Sequence, residues 1–510
     1  MTRYDAELLA VANGRAVPTA SIPRLSGTAF GEVIIEAVAA GLRVVALFGK
    51  AGGGDRAVDL WVVLGDDQSH RLLLGRTAVH AGRFLSLTPT CPEVHLFERE
   101  IAEEFGLEPV GHPWPKPVRK RDFSLPAANP NGVGSKERTP AEVAFYRVAG
   151  RDVHEVAVGP VHAGVIEPGH FRFQCHGENV FHLEIALGYQ HRGVEAALER
   201  GPDQRSIHLA ETLAGDESVA HATAYCQAIE ALTGCPPPER SLWIRAAALE
   251  LERLANHVGD LGALANDVAY LPTAAFCGRL RGEFLNMTAS ISGNRFGRGI
   301  VRPGGVGFDI DRKRADDLLH RLGVAMKETV EAVDLLWDTQ AVLARFEGTG
   351  RVTSSAARQL GLVGPAARAS GLKRDARADH PIGFWRTTAV PVFVSENGDV
   401  LARAECRRFE TTRSAEFVRA ILADLPAGSV RTPPGSLRPE MTTVALVESW
   451  RGEICHVAVT DATGRLARYK VVDPSFHNWS GLAHALREQE ISDFPLCNKS
   501  FNLSYCGHDL

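Results

Sequence analysis

The feature that most constrains the fold is one long segment that is apolar on more than one side. Between Pro238 and Leu271, apolar residues recur at helical spacing, namely Leu242, Ile244, Leu249, Leu251, Leu254, Val258 and Leu261. A helix that is hydrophobic around most of its circumference lies in the interior of a helical bundle. The sequence therefore predicts a buried central helix over this segment, with other helices packed around it.

The rest of the second half mixes helical and strand patterns. Helical spacing of apolar residues predicts further helices over 206–232, 312–339 and 414–425. Residues 441–469 have strand character on both sides of a turn at Asp461-Ala462-Thr463-Gly464. We therefore predict an α+β fold in which residues 141–510 form one domain with a buried helical core and peripheral β-structure.

The first 125 residues are expected to form a small domain of their own. Val44–Gly49 and Val58–Gly65 are β-rich runs, and His95–Phe105 is an amphipathic helical pattern. These elements predict a small α+β domain, resembling an α/β sandwich, over residues 1–125. Residues 126–140 are rich in proline, glycine and asparagine, which is typical of a linker.

Composition excludes several classes of function. A net charge of -5 over 510 residues does not favour nucleic-acid binding. The sequence contains no run of 18 apolar residues and no basic, apolar leader, so neither a membrane span nor a secretory signal is expected. Its nine cysteines include no Cys-x-x-Cys pair, which fits a reducing compartment. We expect a cytoplasmic protein whose attachment to the inner face of the cell membrane comes through partner subunits.

A series of short motifs then occurs in a fixed order along the chain. They are Gly159-Pro160-Val161-His162, Ile166-Glu167-Pro168-Gly169-His170-Phe171, Leu187-Gly188-Tyr189-Gln190-His191, Asn256-His257 with Asn266-Asp267, Arg302-Pro303-Gly304-Gly305-Val306, and Asp473-Pro474-Ser475-Phe476. Over roughly residues 80–510 the chain resembles the large subunit of membrane-bound nickel–iron hydrogenases of the formate hydrogenlyase type, and its relative in respiratory complex I. The small N-terminal domain resembles the one that is fused to the large subunit in hydrogenases of the formate hydrogenlyase type.

The resemblance also identifies what this chain lacks. In the hydrogenases four thiolates hold nickel and iron, and the matching positions here are Ala214, Glu217, Ser504 and Gly507. Soft metals of this kind need sulfur ligands, so we expect no nickel–iron centre and no resident metal. Cys497 and Cys506 with His508 are the remaining candidates for a metal site, although unpaired cysteines more often act as small buried hydrophobic residues.

By the same resemblance, the vacated metal cavity corresponds to the headgroup end of a quinone channel in complex I. His170 matches the histidine of the family's entry loop, which corresponds here to residues 159–162 and 166–171, and Asp267 matches a buried aspartate that pairs with it. Such a pair could donate protons to a quinone near neutral pH. The alternative for Asp267 is a helix cap or an ion pair. The family also uses a tyrosine in the stretch matching 205–217, which contains none here.

Four further residues are site candidates through the resemblance. Glu167 matches a proton-relay glutamate, with an exposed loop carboxylate as the alternative. His162 lies in the same loop. Glu217 could transfer protons or bind a cation, or could fill the cavity as a salt bridge. Arg302 is expected to fix the loop that faces a small iron–sulfur subunit.

Two classes of function remain open. The first is an electron-transfer subunit that shapes the site where electrons from a partner's 4Fe-4S cluster meet a quinone-like acceptor. The second is a non-catalytic subunit that holds the small iron–sulfur subunit and the membrane arm together. NADH, if used, would bind another subunit. A polar cavity open to the surface between His170, Glu217, Asp267 and Ser504 would favour the first class, and a filled core the second.

Overall fold

A computed structural model describes residues 2–52, 57–119, 145–162 and 166–510, and it combines helices with sheets in an α+β fold. The predicted fold class is confirmed. The expected boundary at residue 125 and the linker over 126–140 lie outside the described residues, so the division into domains stays a prediction. Within the described part of the chain, no helix is both long and apolar enough to cross a membrane.

The N-terminal part is built on a sheet flanked by helices. Its elements are α1 (Arg3–Glu7), β1 (Leu9–Val11), β2 (Val17–Pro18), β3 (Arg24–Leu25), α2 (Gly27–Ala39), β4 (Arg43–Ala51), β5 (Val58–Asp66), β6 (Arg71–Val79), β7 (Arg83–Leu85), α3 (His95–Phe105) and β8 (Glu108–Val110). The sheet has the order β1-β6-β5-β4, with β3 parallel to β6. The predicted strands are confirmed as the antiparallel pair β4 and β5, and the predicted helix is α3.

Helices dominate the rest of the chain. In order, the elements are β9 (Val153–Val158), β10 (His170–His176), β11 (Asn179–Ala186), α4 (Val194–Glu199), α5 (Ser206–Ala210), α6 (Ser218–Thr233), α7 (Glu239–Asp267), α8 (Leu271–Ser292), β12 (Val301–Arg302), β13 (Gly305–Val306), α9 (Arg312–Trp337), α10 (Gln340–Phe346), α11 (Ser354–Gln359), α12 (Gly364–Ala369), α13 (Ala376–Asp379), α14 (Val400–Ala423), β14 (Met441–Glu448), β15 (Glu453–Thr460), β16 (Leu466–Val472), α15 (Pro474–Ala485), α16 (Phe494–Phe501) and α17 (Tyr505–His508).

The predicted central helix is confirmed as α7, which runs for 29 residues through the core and packs against α8 and α14. Its burial extends to charged side chains. Glu250, Arg253 and His257 are all at most 1% exposed. Because an unpaired buried charge is strongly unfavourable, each must have partners on neighbouring elements. The core therefore contains polar networks as well as apolar packing.

The expectation that the β-structure is peripheral is wrong for the sheet ordered β16-β15-β14-β2. Every residue of β15 is buried. Alternate residues of a strand point to opposite faces. Val444, Leu446 and Val457 belong to the core of the N-terminal part, whereas Ala445 and Val447 belong to the helical core. The sheet is buried because both of its faces are covered.

Candidate functional site

The first pair of expected ligand positions lies just before α6 and is filled by an ion-pair network. Glu217 is fully buried, and its carboxylate accepts hydrogen bonds from the Ser449 hydroxyl and from Arg451 Nη1 at 3.0 Å. Arg451 also donates two hydrogen bonds of 2.7 Å to Asp216. Of the two interpretations of Glu217, the buried salt bridge describes these contacts.

Burial has a large effect on the acidity of this carboxyl group. It raises the pKa of Glu217 to about 8, the positive charge of Arg451 opposes the shift, and the negative charge of Asp473 adds to it. A group with such a pKa exchanges protons in the neutral range. Glu217 is thus both a structural partner of Arg451 and a group that can hold a proton.

The second pair of expected ligand positions lies in the C-terminal segment and is equally occupied. Ser504 caps α17 by accepting a hydrogen bond of 2.9 Å from the Gly507 amide. A Cβ built on Gly507 would lie 2.5–2.7 Å from the carboxylate atoms of Asp473. A cysteine at position 507 would collide with this carboxylate. Asp473 therefore fills the space that a thiolate would need.

One group of the described residues has the spacing of metal ligands. Donor atoms of Glu217, His221 and Asp473 all lie within 4.8 Å of one another. The set contains no sulfur, so it does not fit a nickel–iron centre. Its donors also have protein partners, since His221 Nε2 lies 3.1 Å from Asp473 Oδ2 and Glu217 is bonded to Arg451. We interpret the group as two adjacent hydrogen-bonded clusters, Glu217 with Ser449 and Arg451, and His221 with Asp473 and His456.

The cysteine alternative is not supported by the geometry. Cys497, Cys506 and His508 do not form a group close enough to share an ion among the described residues. Cys497 belongs to the hydrophobic core, and burial raises the pKa of its thiol to about 12. It behaves as a small buried hydrophobic residue.

The entry loop contacts the C-terminal segment through Glu167. This half-buried carboxylate is hydrogen bonded to Cys506, and burial together with its negative charge raises the pKa of the Cys506 thiol to about 11. In the same loop, His162 Nε2 lies 3.0 Å from the Gly169 carbonyl oxygen. Glu167 is thus not a free loop carboxylate, and it lies beside the expected ligand positions in the C-terminal segment.

His170 and Asp267 lie in different surroundings. The half-buried His170 ring stacks on Phe145 with 5.0 Å between centroids, and its Nε2 accepts a hydrogen bond of 3.2 Å from Arg172. Asp267 is exposed at the end of α7, where partial desolvation raises its pKa and Lys499 opposes the shift. Asp267 is exposed in the isolated subunit, so the expectation that it is buried is wrong there. Its pairing with His170 stays a prediction.

Arg302 lies on the short hairpin formed by β12 and β13. Its carbonyl oxygen and that of Gly305 accept hydrogen bonds from Arg245, which is itself paired with Glu230 at 2.5 Å. The loop is held through its backbone, by an arginine of α7. The expected role of the Arg302 side chain toward a partner stays a prediction.

Several residues at the centre of the site were not singled out from the sequence. Ser449 and Arg451 lie in the turn between β14 and β15, and His456 and Tyr469 lie on β15 and β16. No local sequence pattern marks them. Ser449 contacts Glu217 and His456 contacts His221, and both of these partners lie more than 200 residues earlier in the chain. Only the strand prediction over 441–469 could have placed them in one sheet.

We expect the Glu217→Gln variant to gain stability, relative to the unsubstituted chain, as pH rises from about 5 to about 8. The pKa of Glu217 is raised from 4.5 to about 8, so in this window the folded chain holds a proton that the unfolded chain has released. Stability then falls as pH rises. Glutamine does not titrate and removes this dependence.

The measurement is the urea-unfolding midpoint of both proteins at the two pH values. Glu416→Gln, which changes an exposed ion pair with Arg413, serves as the control and should track the unsubstituted chain. A stability difference between Glu217→Gln and the unsubstituted chain that is the same at both pH values would contradict the prediction.

Comparison with known families gives a consistent result. The family model described as "Respiratory-chain NADH dehydrogenase, 49 Kd subunit" matches residues 267–438 and 431–509. These matches begin at the end of α7 and include α8, α9, α14, the sheet β14–β16 and the C-terminal segment. The half of the site that carries Arg451, Asp473 and Ser504 thus lies within the matched region.

Individual relatives cover more of the chain. "Formate hydrogenlyase subunit 5" of Escherichia coli (strain K12) is 30% identical over 444 residues, which is 83% of this chain and 76% of the relative. "Carbon monoxide-induced hydrogenase" of Rhodospirillum rubrum is 30% identical over 351 residues, 68% of this chain and 97% of the relative. "NADH-quinone oxidoreductase subunit 4" of Thermus thermophilus is 28% identical over 369 residues, 67% of this chain and 90% of the relative.

Proposed function

The chain belongs to the family of large subunits that includes the 49-kDa subunit of respiratory NADH dehydrogenase and the formate hydrogenlyase-type hydrogenase subunits, and we propose that it works as a metal-free subunit of a multi-subunit oxidoreductase. In this role it shapes the place where electrons from a partner's iron–sulfur cluster meet a quinone-like acceptor and protons. Attachment to a membrane would come through partner subunits.

The observation that carries the proposal is that buried titratable side chains lie at and beside the expected ligand positions. Glu217 pairs with Arg451 in a fully buried position, and Asp473 fills the space beside Gly507. Donor atoms of both carboxylates and of His221 lie within 4.8 Å of one another, and His221 is hydrogen bonded to Asp473. A quinone that takes up electrons must also take up protons, and titratable groups of this kind are suited to deliver them.

The acceptor itself is assigned to the surface beside the entry loop. Glu167, His170 and Cys506 are half-buried there, and the loop also presents Val161 and Ile166, which are 88% and 59% exposed. Exposed apolar side chains beside polar groups are typical of a surface that another protein covers. Binding of a small iron–sulfur protein to this loop would close the acceptor site and place the partner's cluster near it.

One observation favours the second class, a non-catalytic structural subunit. The space around Glu217 and Ser504 is filled by the chain's own side chains, and both residues are at most 3% exposed. By the criterion set from the sequence, a filled core favours this class. The two classes are separated by whether a quinone occupies the entry-loop surface of the assembled complex.

Photolabelling of the native complex tests the proposed function. A photoreactive azido-quinone is added to the complex purified from native membranes, and labelled peptides are identified by mass spectrometry. We expect label within 166–176 or 499–510, and we expect excess decylubiquinone to suppress it. Absence of competed label on this chain would support the structural subunit instead.

We also expect a small iron–sulfur subunit to co-purify with this chain from native membranes. A subunit without thiolate ligands must obtain electrons from a cluster held by a neighbour, and electron transfer requires close contact. Substituting Val161 and Ile166 by aspartate together should weaken the association by at least about tenfold, because charge would be buried in the contact. The matched control is Val324→Asp with Val330→Asp on the exposed side of α9. Loss of the partner in the control alone would contradict the assignment of the surface.

A further inference from the structure

A series of buried polar side chains connects the expected ligand position at Gly507 with the surface, and its first four members are joined by hydrogen bonds. His221 Nε2 lies 3.1 Å from Asp473 Oδ2, His221 Nδ1 lies 3.1 Å from His456 Nε2, and His456 Nδ1 lies 2.9 Å from the Tyr469 hydroxyl. The four side chains come from α6, β15, β16 and the N-cap of α15. All four residues are completely buried.

Beyond Tyr469 the series of side chains leads through Tyr225 and Ser206 to Asp203, which is exposed. The ring of Tyr225 packs on Tyr469 with 6.0 Å between centroids, and the Tyr225 hydroxyl is hydrogen bonded to Ser206. Ser206 Oγ donates a hydrogen bond of 3.1 Å to Asp203 Oδ1, and the Asp203 side chain is 46% exposed. Between the two tyrosines the structure shows ring packing and no direct hydrogen bond, so proton transfer across this step requires a bridging water.

The protons of the buried part can be placed from its two ends. A hydrogen bond from His221 and the positive charge of Arg451 lower the pKa of Asp473 against its burial, so Asp473 is an ionised acceptor. In the neutral tautomer that the relay uses, His221 donates from Nε2 and accepts at Nδ1. His456, whose pKa burial holds well below its ordinary value, is neutral; it donates from Nε2 and accepts at Nδ1 from the Tyr469 hydroxyl. Every donor therefore points toward Asp473.

We propose that Tyr469, His456, His221 and Asp473, entered from Asp203 through Ser206 and Tyr225, form a proton relay that delivers protons from the surface to the site beside Gly507. The inference rests on the proposed function and names residues that this function would use. A network with only a structural role would satisfy the same polar atoms. It would contribute less to stability than apolar packing of similar shape, and it would not require a connection to the surface.

The relay moves one proton and changes only N–H and O–H bonds. Asp473 takes the proton from His221 Nε2, while His221 Nδ1 takes one from His456 Nε2. His456 Nδ1 then takes the Tyr469 proton, and Tyr225 passes its own proton through the bridging water to the Tyr469 oxygen. The Ser206 hydroxyl rotates from Asp203 toward Tyr225 and reprotonates it, and Asp203 returns to Ser206 a proton taken from solvent. The passage of the proton converts both imidazoles to their other tautomer. Return of the imidazoles to the first tautomer and rotation of the hydroxyl groups reset the relay. No electron moves along it.

Proton exchange of the imidazole groups tests the relay directly. The full chain is deuterated, labelled with ¹⁵N-histidine, and transferred between water and deuterium oxide while exchange is followed by NMR. Each rate is divided by the rate of the same group in an unfolded peptide. We expect His456 Nε2–H to exchange at least about tenfold faster than the backbone amides of Cys455–Val457, because those amides exchange only when the strand opens.

Two phenylalanine variants make the result specific. Tyr225→Phe interrupts the path and should slow imidazole exchange by at least about tenfold while leaving the β15 amides unchanged. Tyr270→Phe, whose hydroxyl contacts the Leu335 carbonyl at the far end of α7, is the matched control and should change neither. If imidazole and amide protons exchange at one normalised rate, the network is sealed. If Tyr225→Phe has no effect, protons do not pass through Tyr225. Either result overturns the relay.

This outcome is independent of the quinone experiment. Fast imidazole exchange without competed quinone label would keep the relay and reject the proposed acceptor. Competed label with sealed imidazoles would keep the acceptor and send its protons by another path.

Discussion

Replacing Arg368 by methionine is expected to destabilise the chain by about 3–5 kcal/mol, because two buried carboxylates lose a charged partner. Arg368 is 0% exposed, and its guanidinium contacts Glu410 and Glu448 at 2.7 Å each. Methionine has similar volume, so the main loss is electrostatic. The measurement is the free energy of unfolding, from urea titration followed by circular dichroism.

Two companion variants make this experiment decisive. Arg408→Met on α14 removes an exposed ion pair with Asp334 of α9, and the expected cost is at most about 1 kcal/mol. The double variant Arg368→Met with Glu448→Gln neutralises one of the stranded carboxylates and should recover part of the loss, because residues in one network are not additive. An equal loss in the free energy of unfolding for Arg368→Met and Arg408→Met would show that the buried carboxylates do not depend on Arg368 for stability.

Replacing Gly507 by alanine is expected to cost about 2–4 kcal/mol. The new Cβ would lie 2.5–2.7 Å from the carboxylate of Asp473 and would displace it. Asp473 would then lose its cap of α15, a hydrogen bond of 2.7 Å from the Ser475 amide, and its hydrogen bond to His221. Loss of a cap costs about 0.5–2 kcal/mol, and loss of a buried hydrogen bond to a charged group about 1.5–3 kcal/mol.

A glycine in open space provides the control for this substitution. Gly278 lies within α8, and a Cβ built on it meets nothing within 4 Å. Gly278→Ala should therefore stabilise the chain by about 0.5–1 kcal/mol through higher helix propensity. If Gly507→Ala is as well tolerated as Gly278→Ala, Asp473 does not occupy the former ligand position, and the account of the site is wrong.

The sequence predicts the central helix well because its signal is local. Apolar residues at helical spacing from Leu242 to Leu261 define a helix without reference to the rest of the chain, and α7 spans them all. The same pattern predicted a helix as far as Leu271, but α7 ends at Asp267 and Leu271 begins α8. Helix ends are set by local backbone geometry, which apolar spacing does not encode.

The burial of the sheet could not be predicted in the same way. Strand patterns over residues 441–469 show where β14 and β15 lie but not what covers them. One face packs on the N-terminal part through residues such as Leu446, more than 300 residues from its neighbours in β4 and β5. Such contacts depend on tertiary packing, which periodicity within one segment does not encode.

The candidate site was likewise only partly predictable from the sequence. The resemblance assigns the ligand positions to Ala214, Glu217, Ser504 and Gly507 through short motifs in a fixed order along the chain, and this assignment stays a prediction. What fills them was not found, because Arg451 and His456 come from a different sheet and carry no motif. Asp267 was expected to be buried because it follows an apolar helix, yet it lies at the helix end and faces solvent.

The central claim is that proton-handling side chains have replaced a metal centre in this subunit. Its most direct test is elemental analysis of the complex purified from native membranes through a tag on this chain. We predict nickel below about a tenth of an atom per chain, since the donor set contains no thiolate. Iron should be present only in the amount that the partner's clusters require. Nickel in a one-to-one ratio with the chain would contradict the account.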